Sequence, residues 1–327
     1  MTQTITIPGS KSYTNRALLM AALAPGQSTL QGCLLSDDTH VMIEALQNLG
    51  VKITLNGDTA TIDAPHNWST PFGPLQLGNA GTAVRFLTAI LAHQSFLSVI
   101  TGDPRMKERP MQDLIDALSE LGANIISPNG CPPLTIQGSP LIRSETHITG
   151  KNSSQYISAL MILAPLLPDG LSIHIEGETT SAPYLDMTLD LMNKFCVQLG
   201  EREQFSYFQI PHQNYQPTDL IIEADASSAT YFFGLAAITG KTITVANLSR
   251  KTLQPDIQIL DHLEQMGCQV TEDETGITIT GPTQLKPLGQ INANSFPDGA
   301  MTLAVVAAFA PGKTTLTGLH NLRIKEC

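Results

Sequence analysis

The chain repeats itself with a period of about 72 residues, and this repeat constrains its fold more than any other feature. One recurring segment is an apolar helical run rich in small residues, which begins after Ser12, Gly81, Ser154, Ser228 and Gly299. The other is an amphipathic helical run, and three of its four copies end in glycine, the usual residue after a helix. Such a period over most of a chain indicates one supersecondary unit used repeatedly.

The order of the segments predicts a unit of strand, small-residue helix, strand, amphipathic helix, strand and strand. Short strands alternating with helices predict an α/β fold. The small-residue helices are apolar on nearly every side, so we expect them to be buried, with the amphipathic helices outside. The first helix occurs five times and the second four times, so the sequence predicts a chain that ends within a unit.

Composition and charge disfavour several classes of protein. The chain is 42% hydrophobic and 14% charged, as in globular proteins rather than disordered ones. Its net charge of −11 disfavours non-specific binding to nucleic acid or to an anionic membrane. The sequence shows neither a signal-peptide pattern nor a run of about 20 apolar residues. We therefore expect no nucleic-acid partner and no membrane partner.

The cysteines and histidines carry no recognisable ligand spacing. The five cysteines are odd in number, far apart and without a C-x-x-C motif, which is typical of free thiols in a reducing cytoplasm. The eight histidines form no HExxH or similar pattern, so each is interpreted as a surface or packing residue. The sequence thus predicts a cytoplasmic protein without a metal site.

Polar residues gather around the starts of the apolar helices. A helix start offers unpaired N–H groups and the positive end of the helix dipole, so superimposed repeats would bring several anion-binding ends to one cleft. The alternative is five independent N-caps, because Ser, Thr, Asn and Asp commonly begin helices. The candidates are Lys11, Ser12 and Arg16, then Asn79, Gly81, Thr82 and Arg85, then Ser153, Ser154, Gln155 and Tyr156, then Asp225, Ser227 and Ser228, and finally Asp298.

Two further stretches lie outside the helix starts. GDPRMKERP carries Arg105, Lys107 and Arg109, which indicate either an anion site or a solvated basic turn. HNLRIKEC places Glu326 beside Lys325, which is either an acid/base group among anion-holding cations or a surface ion pair.

Eight motifs in this order resemble the EPSP synthase family, the enolpyruvyl transferases of the shikimate pathway of aromatic amino acid biosynthesis. They run from residue 8 to residue 326 and read PGSKSYTNRALLMAALA, LGNAGTAVRF, TGDPRMKERP, SSQYISALMILAPL, SAPYLDMT, EADASSATYF, FPDGAMT and NLRIKE. The sister family, the UDP-N-acetylglucosamine enolpyruvyl transferases, shares the repeat but carries Asn where this chain has Ser12. Phe86 departs from the EPSP synthase pattern, which often has proline there, next to the site of the inhibitor glyphosate.

The resemblance implies a two-lobed enolpyruvyl transferase fold, an inside-out α/β barrel built from βαβαββ units. The chain would cross between lobes near Ser10 and Ala224. Residues 11–224 would then form a complete three-unit lobe on the shikimate 3-phosphate side. Residues 1–10 and 225–327 would form about one and a half of the three units of the second lobe. By repeat arithmetic the chain lacks roughly 100 residues of the family pattern.

The resemblance also implies a reaction without metal or organic cofactor, in which phosphoenolpyruvate and shikimate 3-phosphate give EPSP and phosphate through a tetrahedral adduct. Asp298 would be the base on the 5-hydroxyl and Glu326 the proton donor to carbon, assisted by Lys11. Lys11, the Gly81 backbone and Arg105 would hold phosphoenolpyruvate, with Asn79 nearby. Gln155 would touch both substrates. Shikimate 3-phosphate would lie against Ser12, Arg16, Ser153, Ser154, Ser181, Tyr184, Asn321 and Lys325.

Two alternatives stay open at this point. A shortened chain would bind shikimate 3-phosphate without turnover, and the sister family would use UDP-N-acetylglucosamine as the acceptor. A complete chain is expected to be a monomer. A half-built second lobe would expose apolar surface along residues 301–309 and would then favour association.

Overall fold

The structure, a computed structural model, describes residues 3–324. This part of the chain forms two compact units. The larger unit is Lys11–Ile222, and the smaller unit joins residues 3–10 to Glu223–Arg323. None of the helices within residues 3–324 combines the length and hydrophobicity that crossing a bilayer requires.

The first strand belongs to the smaller unit, and the larger unit then begins with the first of three repeats. The elements, in chain order, are β1 (Gln3–Ile5), α1 (Lys11–Leu23), β2 (Gly26–Gln31), α2 (Asp37–Asn48), β3 (Lys52–Asn56) and β4 (Thr59–Ala64).

The second and third repeats follow the same plan, and one more strand closes the larger unit. The second repeat contains β5 (Leu75–Gln76), α3 (Gly81–Ala92), β6 (Leu97–Thr101), α4 (Gln112–Glu120), β7 (Asn124–Ile126) and β8 (Leu134–Gln137). The third contains β9 (Glu145–Thr149), α5 (Ser154–Leu163), β10 (Leu171–Glu176), α6 (Pro183–Lys194), β11 (Arg202–Glu203) and β12 (Tyr207–Ile210), and the closing strand is β13 (Asp219–Ile221).

Each repeat of the larger unit makes a four-stranded sheet. The second and third sheets have the orders β5-β6-β8-β7 and β9-β10-β12-β11, with the first two strands parallel and the last pair an antiparallel hairpin. In the first sheet, β13 takes the place of the missing first strand and pairs in parallel with β2. The predicted order of elements in each repeat is confirmed. The strand β13 returns the chain to the first sheet, where it pairs with β2.

The small-residue helices form the core of the larger unit, as predicted. Eleven of the twelve residues of α3 are buried, and α1 and α5 are buried to a similar extent. The amphipathic α4 instead buries one face, through Leu114, Ile115, Ala117 and Leu118. Each fully buried Leu or Ile side chain stabilises the folded state by roughly 1.5–3 kcal/mol.

The smaller unit holds one complete repeat and half of a second. Its elements after β1 are α7 (Ala226–Thr239), β14 (Thr242–Val245), α8 (Ile259–Gln265), β15 (Gln269–Asp273), β16 (Gly276–Thr280), β17 (Gly289–Asn292), α9 (Pro297–Ala307) and β18 (Thr314–Thr317). The complete sheet has the order β1-β14-β16-β15, and β17 and β18 form a parallel pair.

The boundary between the two units follows Ile222, two residues before the crossing expected near Ala224. Glu223 and Ala224 belong to the smaller unit because the chain there pairs with the segment before α1. The Ser10 N–H donates to the Glu223 carbonyl at 2.8 Å, and Gly9 forms a β-bridge with Ala224.

Two helices of the smaller unit pack together, and the second of them leaves apolar side chains exposed. The hydroxyls of Thr230 on α7 and Thr302 on α9 lie 2.9 Å apart, so the two helices are in contact. Met301, Val305 and Phe309 are 38%, 57% and 61% exposed. The expected apolar exposure along residues 301–309 is therefore confirmed.

Candidate active site

The start of α1 carries a lysine that forms a partly exposed ion pair. Lys11 is the first residue of this helix, and its Nζ lies 3.2 Å from Oδ2 of Asp38 on α2. Both side chains are partly exposed, so this ion pair contributes little to stability. An anion that binds at the start of α1 can therefore replace Asp38 as the partner of Lys11 at small cost.

One turn later, Arg16 is a buried cation inside the helical core. Its guanidinium donates to Thr188 Oγ1 at 2.9 Å, to the Ser12 carbonyl at 3.1 Å and to Ser158 Oγ at 3.4 Å. It also lies over the ring of Phe86, 5.2 Å from the centroid. Among residues 3–324 no carboxylate pairs with it, and burial lowers its pKa to about 10. An uncompensated buried charge is costly, so this position favours a bound anion.

The start of α3 brings two further guanidinium groups against a glycine. A Cβ at Gly81 would lie 2.5 Å from Nη2 of Arg109 and 2.7 Å from Nη1 of Arg85, so only glycine fits without displacing them. The N-cap residue is Ala80, whose side chain offers no capping oxygen. Two cations at an uncapped, positive helix end make a site suited to a phosphate or carboxylate.

Gln155 connects the starts of α3 and α5. Its Oε1 accepts a hydrogen bond from Nη1 of Arg85, and its Nε2 donates to Thr82 Oγ1 at 3.2 Å. Its backbone N–H donates to the N-cap Ser153 at 3.2 Å. The buried Nε of Arg85 has no acceptor within the described chain. Arg85 is therefore held in place by Gln155.

The structure places Arg109, rather than Arg105, beside Gly81. Nη1 of Arg109 donates to the Asn79 carbonyl at 2.9 Å, and its side chain is buried. Arg105 is 44% exposed, and its Nη1 lies 3.0 Å from Oε2 of Glu108. Arg109 therefore lies at the start of α3, whereas Arg105 lies on the exposed side of the same loop.

The spacing of Met106 and Arg109 explains why Arg109 is buried. Met106–Glu108 form a 3₁₀ helix, which has three residues per turn. Met106 and Arg109, three residues apart, therefore lie on the same side of the chain, and both are buried. Arg109 points inward because it lies on the same side as the buried Met106, whereas Arg105 and Lys107 are exposed.

The third repeat adds a row of hydroxyl groups. Ser154 is buried at the first residue of α5, and Ser181 is buried just before α6 with a left-handed φ of 57°. Such a conformation is uncommon for a residue with a side chain and often occurs at functional sites. The Tyr184 carbonyl accepts a hydrogen bond from Thr188, the residue that also contacts Arg16.

The smaller unit places carboxylates at its helix starts instead. The buried Asp256 accepts a hydrogen bond from the Gly299 N–H at 2.8 Å and another from the Ser227 hydroxyl, which ties the starts of α9 and α7 together. Asp225 caps α7 through the Ser228 N–H at 2.7 Å. Asp298 lies half-buried in the first turn of α9.

The remaining predicted site residues lie near the end of the chain. Asn321 belongs to the smaller unit and is buried within the 3₁₀ helix His320–Ile324. Lys325 and Glu326 lie outside the described residues. Within the larger unit, contacts join Asn79, Gly81 and Gln155 through the two arginines, and join Arg16 to α6 through Thr188.

Comparisons with known proteins point to one family. A family model for EPSP synthase (3-phosphoshikimate 1-carboxyvinyltransferase) matches residues 1–327. The 3-phosphoshikimate 1-carboxyvinyltransferase of Colwellia psychrerythraea is 41% identical over 331 residues, covering 98% of this chain and 77% of the relative. The enzyme of that name from Shewanella sediminis is 43% identical over 334 residues, covering 99% and 77%.

A solved structure agrees with these sequence matches. The EPSP synthase of Acinetobacter baumannii matches with a TM-score of 0.83 at 27% identity, covering 99% of this chain and 75% of that one. The chain therefore has the enolpyruvyl transferase fold and spans about three quarters of the length of these proteins. The family model and the relatives carry the EPSP synthase name rather than that of the sister transferase. The chain belongs to the EPSP synthase family, the 3-phosphoshikimate 1-carboxyvinyltransferases.

Proposed function

We propose that this protein transfers the enolpyruvyl group of phosphoenolpyruvate to the 5-hydroxyl of shikimate 3-phosphate and releases phosphate. The observation that carries the proposal is the pair of guanidinium groups, from Arg85 and Arg109, held against Gly81 at the uncapped start of α3. Both substrates are anions, and fixed guanidinium groups are the strongest side-chain partners for phosphate and carboxylate.

Phosphoenolpyruvate is assigned to the starts of α1 and α3. Lys11 and Arg109 supply charge, and the Gly81 N–H supplies a donor at the positive helix end. Arg85 lines the same glycine and is oriented by Gln155. Arg105 is left out of this assignment because it is exposed and paired with Glu108.

Shikimate 3-phosphate is assigned to the hydroxyl groups of the third repeat and to the buried cation. Arg16 offers a charge that lacks a carboxylate partner in the described chain. The proposed contacts are Ser12, Arg16, Ser153, Ser154, Gln155, Ser181 and Tyr184, with Asn321 and Lys325 retained from the motif match. The left-handed backbone at Ser181 fits a residue that is held for a ligand rather than for packing.

The chemistry needs one base and one acid. We assign Asp298 as the base that takes the proton of the 5-hydroxyl while its oxygen attacks the enol carbon. Glu326, assisted by Lys11, gives a proton to the methylene carbon, so that a tetrahedral adduct with a methyl group forms. Loss of a proton from that methyl group then expels phosphate and restores the enol ether. These roles use no group besides the chain's own residues and the two substrates.

Location and partners form part of the same proposal. Cys33, Cys131, Cys196 and Cys268 are free thiols, which supports a reducing cytoplasm as the place of action. The net charge of −11 disfavours nucleic acid and anionic membrane as partners, so the small anionic substrates depend on the cations gathered at the helix starts.

Phosphate release with two acceptors tests the proposed function. We expect release from phosphoenolpyruvate in the presence of shikimate 3-phosphate and none with UDP-N-acetylglucosamine. Calorimetric titration with shikimate 3-phosphate alone should show saturable binding. Saturable binding of shikimate 3-phosphate without phosphate release would overturn the catalytic proposal and leave a binding protein. If neither binding nor phosphate release occurred, the assignment of the larger unit as the substrate-binding part would be overturned.

A further inference from the structure

The outer face of the third sheet in the larger unit carries two facing histidines. His147 on β9 and His174 on β10 are directly opposite each other in the parallel register. Their rings stack with centroids 4.9 Å apart and an angle of 17° between the planes. Neighbouring residues Thr146, Ile148 and Ile173 point into the core, so the alternation of the strands leaves both imidazoles on the solvent side.

A carboxylate completes this group. Oε1 of Glu145 lies 2.9 Å from Nε2 of His174. One potential ligand atom from each of Glu145, His147 and His174 lies within 4.8 Å of the other two. None of these three residues belongs to the substrate site described above, so the cluster needs a separate explanation.

We propose that Glu145, His147 and His174 form a binding site for one Zn²⁺ or similar divalent transition-metal ion. Two imidazole nitrogens and one carboxylate oxygen are a common zinc ligand set, with bonds of about 2.0–2.2 Å and water in the fourth position. The side chains are partly exposed, so rotation about their own bonds brings the three atoms to this distance. Mg²⁺ and Ca²⁺ prefer oxygen ligands, and a site with a single carboxylate does not suit them.

Glu120 at the end of α4 orients the site. Its Oε2 lies 3.5 Å from Nδ1 of His147 and accepts a hydrogen bond from the His147 backbone N–H at 2.8 Å. A carboxylate beside one ring nitrogen favours a proton there and leaves the other nitrogen, Nε2, to the metal. Thr146 Oγ1 donates to the same carboxylate at 3.0 Å, so Glu120 is held in position.

A metal at this place would join an edge strand to its neighbour. β9 is the outer strand of its sheet, and the chain leaving it reaches Ser153 at the start of α5 within four residues. Because a metal binds the folded sheet and not the unfolded chain, it stabilises the folded state. The site therefore acts as a clamp on the strand that precedes the proposed shikimate 3-phosphate residues.

Sequence patterns could not reveal this site. His147 and His174 are 27 positions apart and meet only through the register of β9 and β10. The expectation of no metal site rested on the spacing of histidines and cysteines along the sequence, which does not show residues that meet across a sheet.

Zinc titration of the untagged, chelator-stripped protein tests the proposal. We expect one equivalent of Zn²⁺ to bind and to raise Tm. His147→Ala and His174→Ala should each weaken binding by at least about tenfold, and the double variant should abolish it. His66→Ala removes another exposed histidine and should leave zinc affinity and the zinc-induced rise in Tm unchanged. The proposed site would be overturned if the wild type and the double variant bound zinc equally. It would also be overturned if the wild type bound no zinc at a tenfold molar excess of Zn²⁺, and the cluster would then contain His–Glu ion pairs only.

Three further variants and a cobalt substitution separate the site from competing explanations. Cys196 is an exposed thiol and a possible competing zinc ligand, so Cys196→Ser should retain the full affinity. Cobalt in place of zinc should give a visible spectrum without a thiolate charge-transfer band.

Glu120→Gln keeps an acceptor for His147, whereas Glu120→Ala does not, so the alanine variant should bind zinc more weakly than the glutamine variant. Equal affinities would remove the orienting role of Glu120.

Discussion

The two units use the same repeat but place opposite charges at the starts of their small-residue helices. In the larger unit, Arg16, Arg85 and Arg109 surround the first turns of α1 and α3. In the smaller unit, Asp256 accepts the Gly299 N–H at the start of α9, and Asp298 stands in the same turn. A positive helix end attracts either a bound anion or the protein's own carboxylate. The larger unit thus presents guanidinium groups at these helix starts, and the smaller unit presents carboxylates.

The units also differ in how completely they bury these helices. Eleven of twelve residues are buried in α3, but six of eleven in α9. In the larger unit three repeats surround the small-residue helices, whereas the described smaller unit contains one and a half. A repeat cannot bury its own apolar faces without neighbours. The difference shows that the sequence of a small-residue helix predicts burial only where the adjacent repeats exist.

The largest expected effect comes from removing the proposed base. Asp298→Asn keeps the shape of the side chain but cannot accept the proton of the 5-hydroxyl. We expect kcat to fall by about 10²–10⁴-fold with little change in shikimate 3-phosphate affinity. Steady-state phosphate release and calorimetry measure the two quantities. A large loss of affinity with unchanged kcat would place Asp298 among binding groups and break the contrast between the units.

The next effect tests the buried cation of the larger unit. Arg16→Met removes the charge but keeps the volume of the side chain. We expect shikimate 3-phosphate to bind about 100-fold more weakly, while the free energy of unfolding stays equal or rises, because a buried charge without a carboxylate partner disappears. Calorimetry and urea unfolding measure these changes, with Arg16→Lys as the control that keeps the charge. A destabilised variant with normal affinity would show a structural role only.

A smaller effect is expected at the glycine between the two arginines. Gly81→Ala adds a Cβ that overlaps the guanidinium groups of Arg85 and Arg109. We expect KM for phosphoenolpyruvate to rise by roughly tenfold while shikimate 3-phosphate affinity stays unchanged, since displaced donors no longer point at the anion. Gly73→Ala is a matched control because no atom lies within 4 Å of its added Cβ. An unchanged KM in Gly81→Ala would remove this glycine from the site.

The smallest effect is expected at an exposed position of α9, with a buried position of α3 for comparison. Val305→Lys on α9 should change the free energy of unfolding by no more than about 0.5 kcal/mol, because the side chain is exposed. The same change at Leu91 on α3, which is fully buried, should cost several kcal/mol or prevent folding. Urea unfolding measures both. Val305→Lys should also reduce binding of a dye that reports apolar surface, and equal destabilisation by the two changes would contradict the difference in burial.

The repeat made most of the fold predictable. Helices rich in small residues and amphipathic helices ending in glycine have distinct local patterns, so the order of elements followed from the sequence. The closing strand β13 was not predictable, because its three residues match no pattern and its place depends on pairing with β2. The same reason explains the two-residue shift of the boundary at Ile222.

Contacts among the candidate site residues were predictable where these residues follow the helix starts. Gly81 and Gln155 stood at equivalent points of the repeat, and the structure joins them through Arg85. Which of Arg105 and Arg109 is buried beside Gly81 depends on which side of a single 3₁₀ turn faces inward, and charge and motif alone do not reveal this. Asp256 was missed because it acts through contacts with two helix starts distant in sequence.

The most direct test of the proposed anion site compares Arg109 with Arg105. Arg109→Ala and Arg105→Ala each remove one positive charge from the same loop, but only the first removes a buried guanidinium held against Gly81. Steady-state phosphate release at saturating shikimate 3-phosphate should show kcat/KM for phosphoenolpyruvate reduced by about 100-fold in Arg109→Ala and by less than about twofold in Arg105→Ala. Equal losses, or a larger loss in Arg105→Ala, would contradict the placement of the phosphoenolpyruvate site at the start of α3.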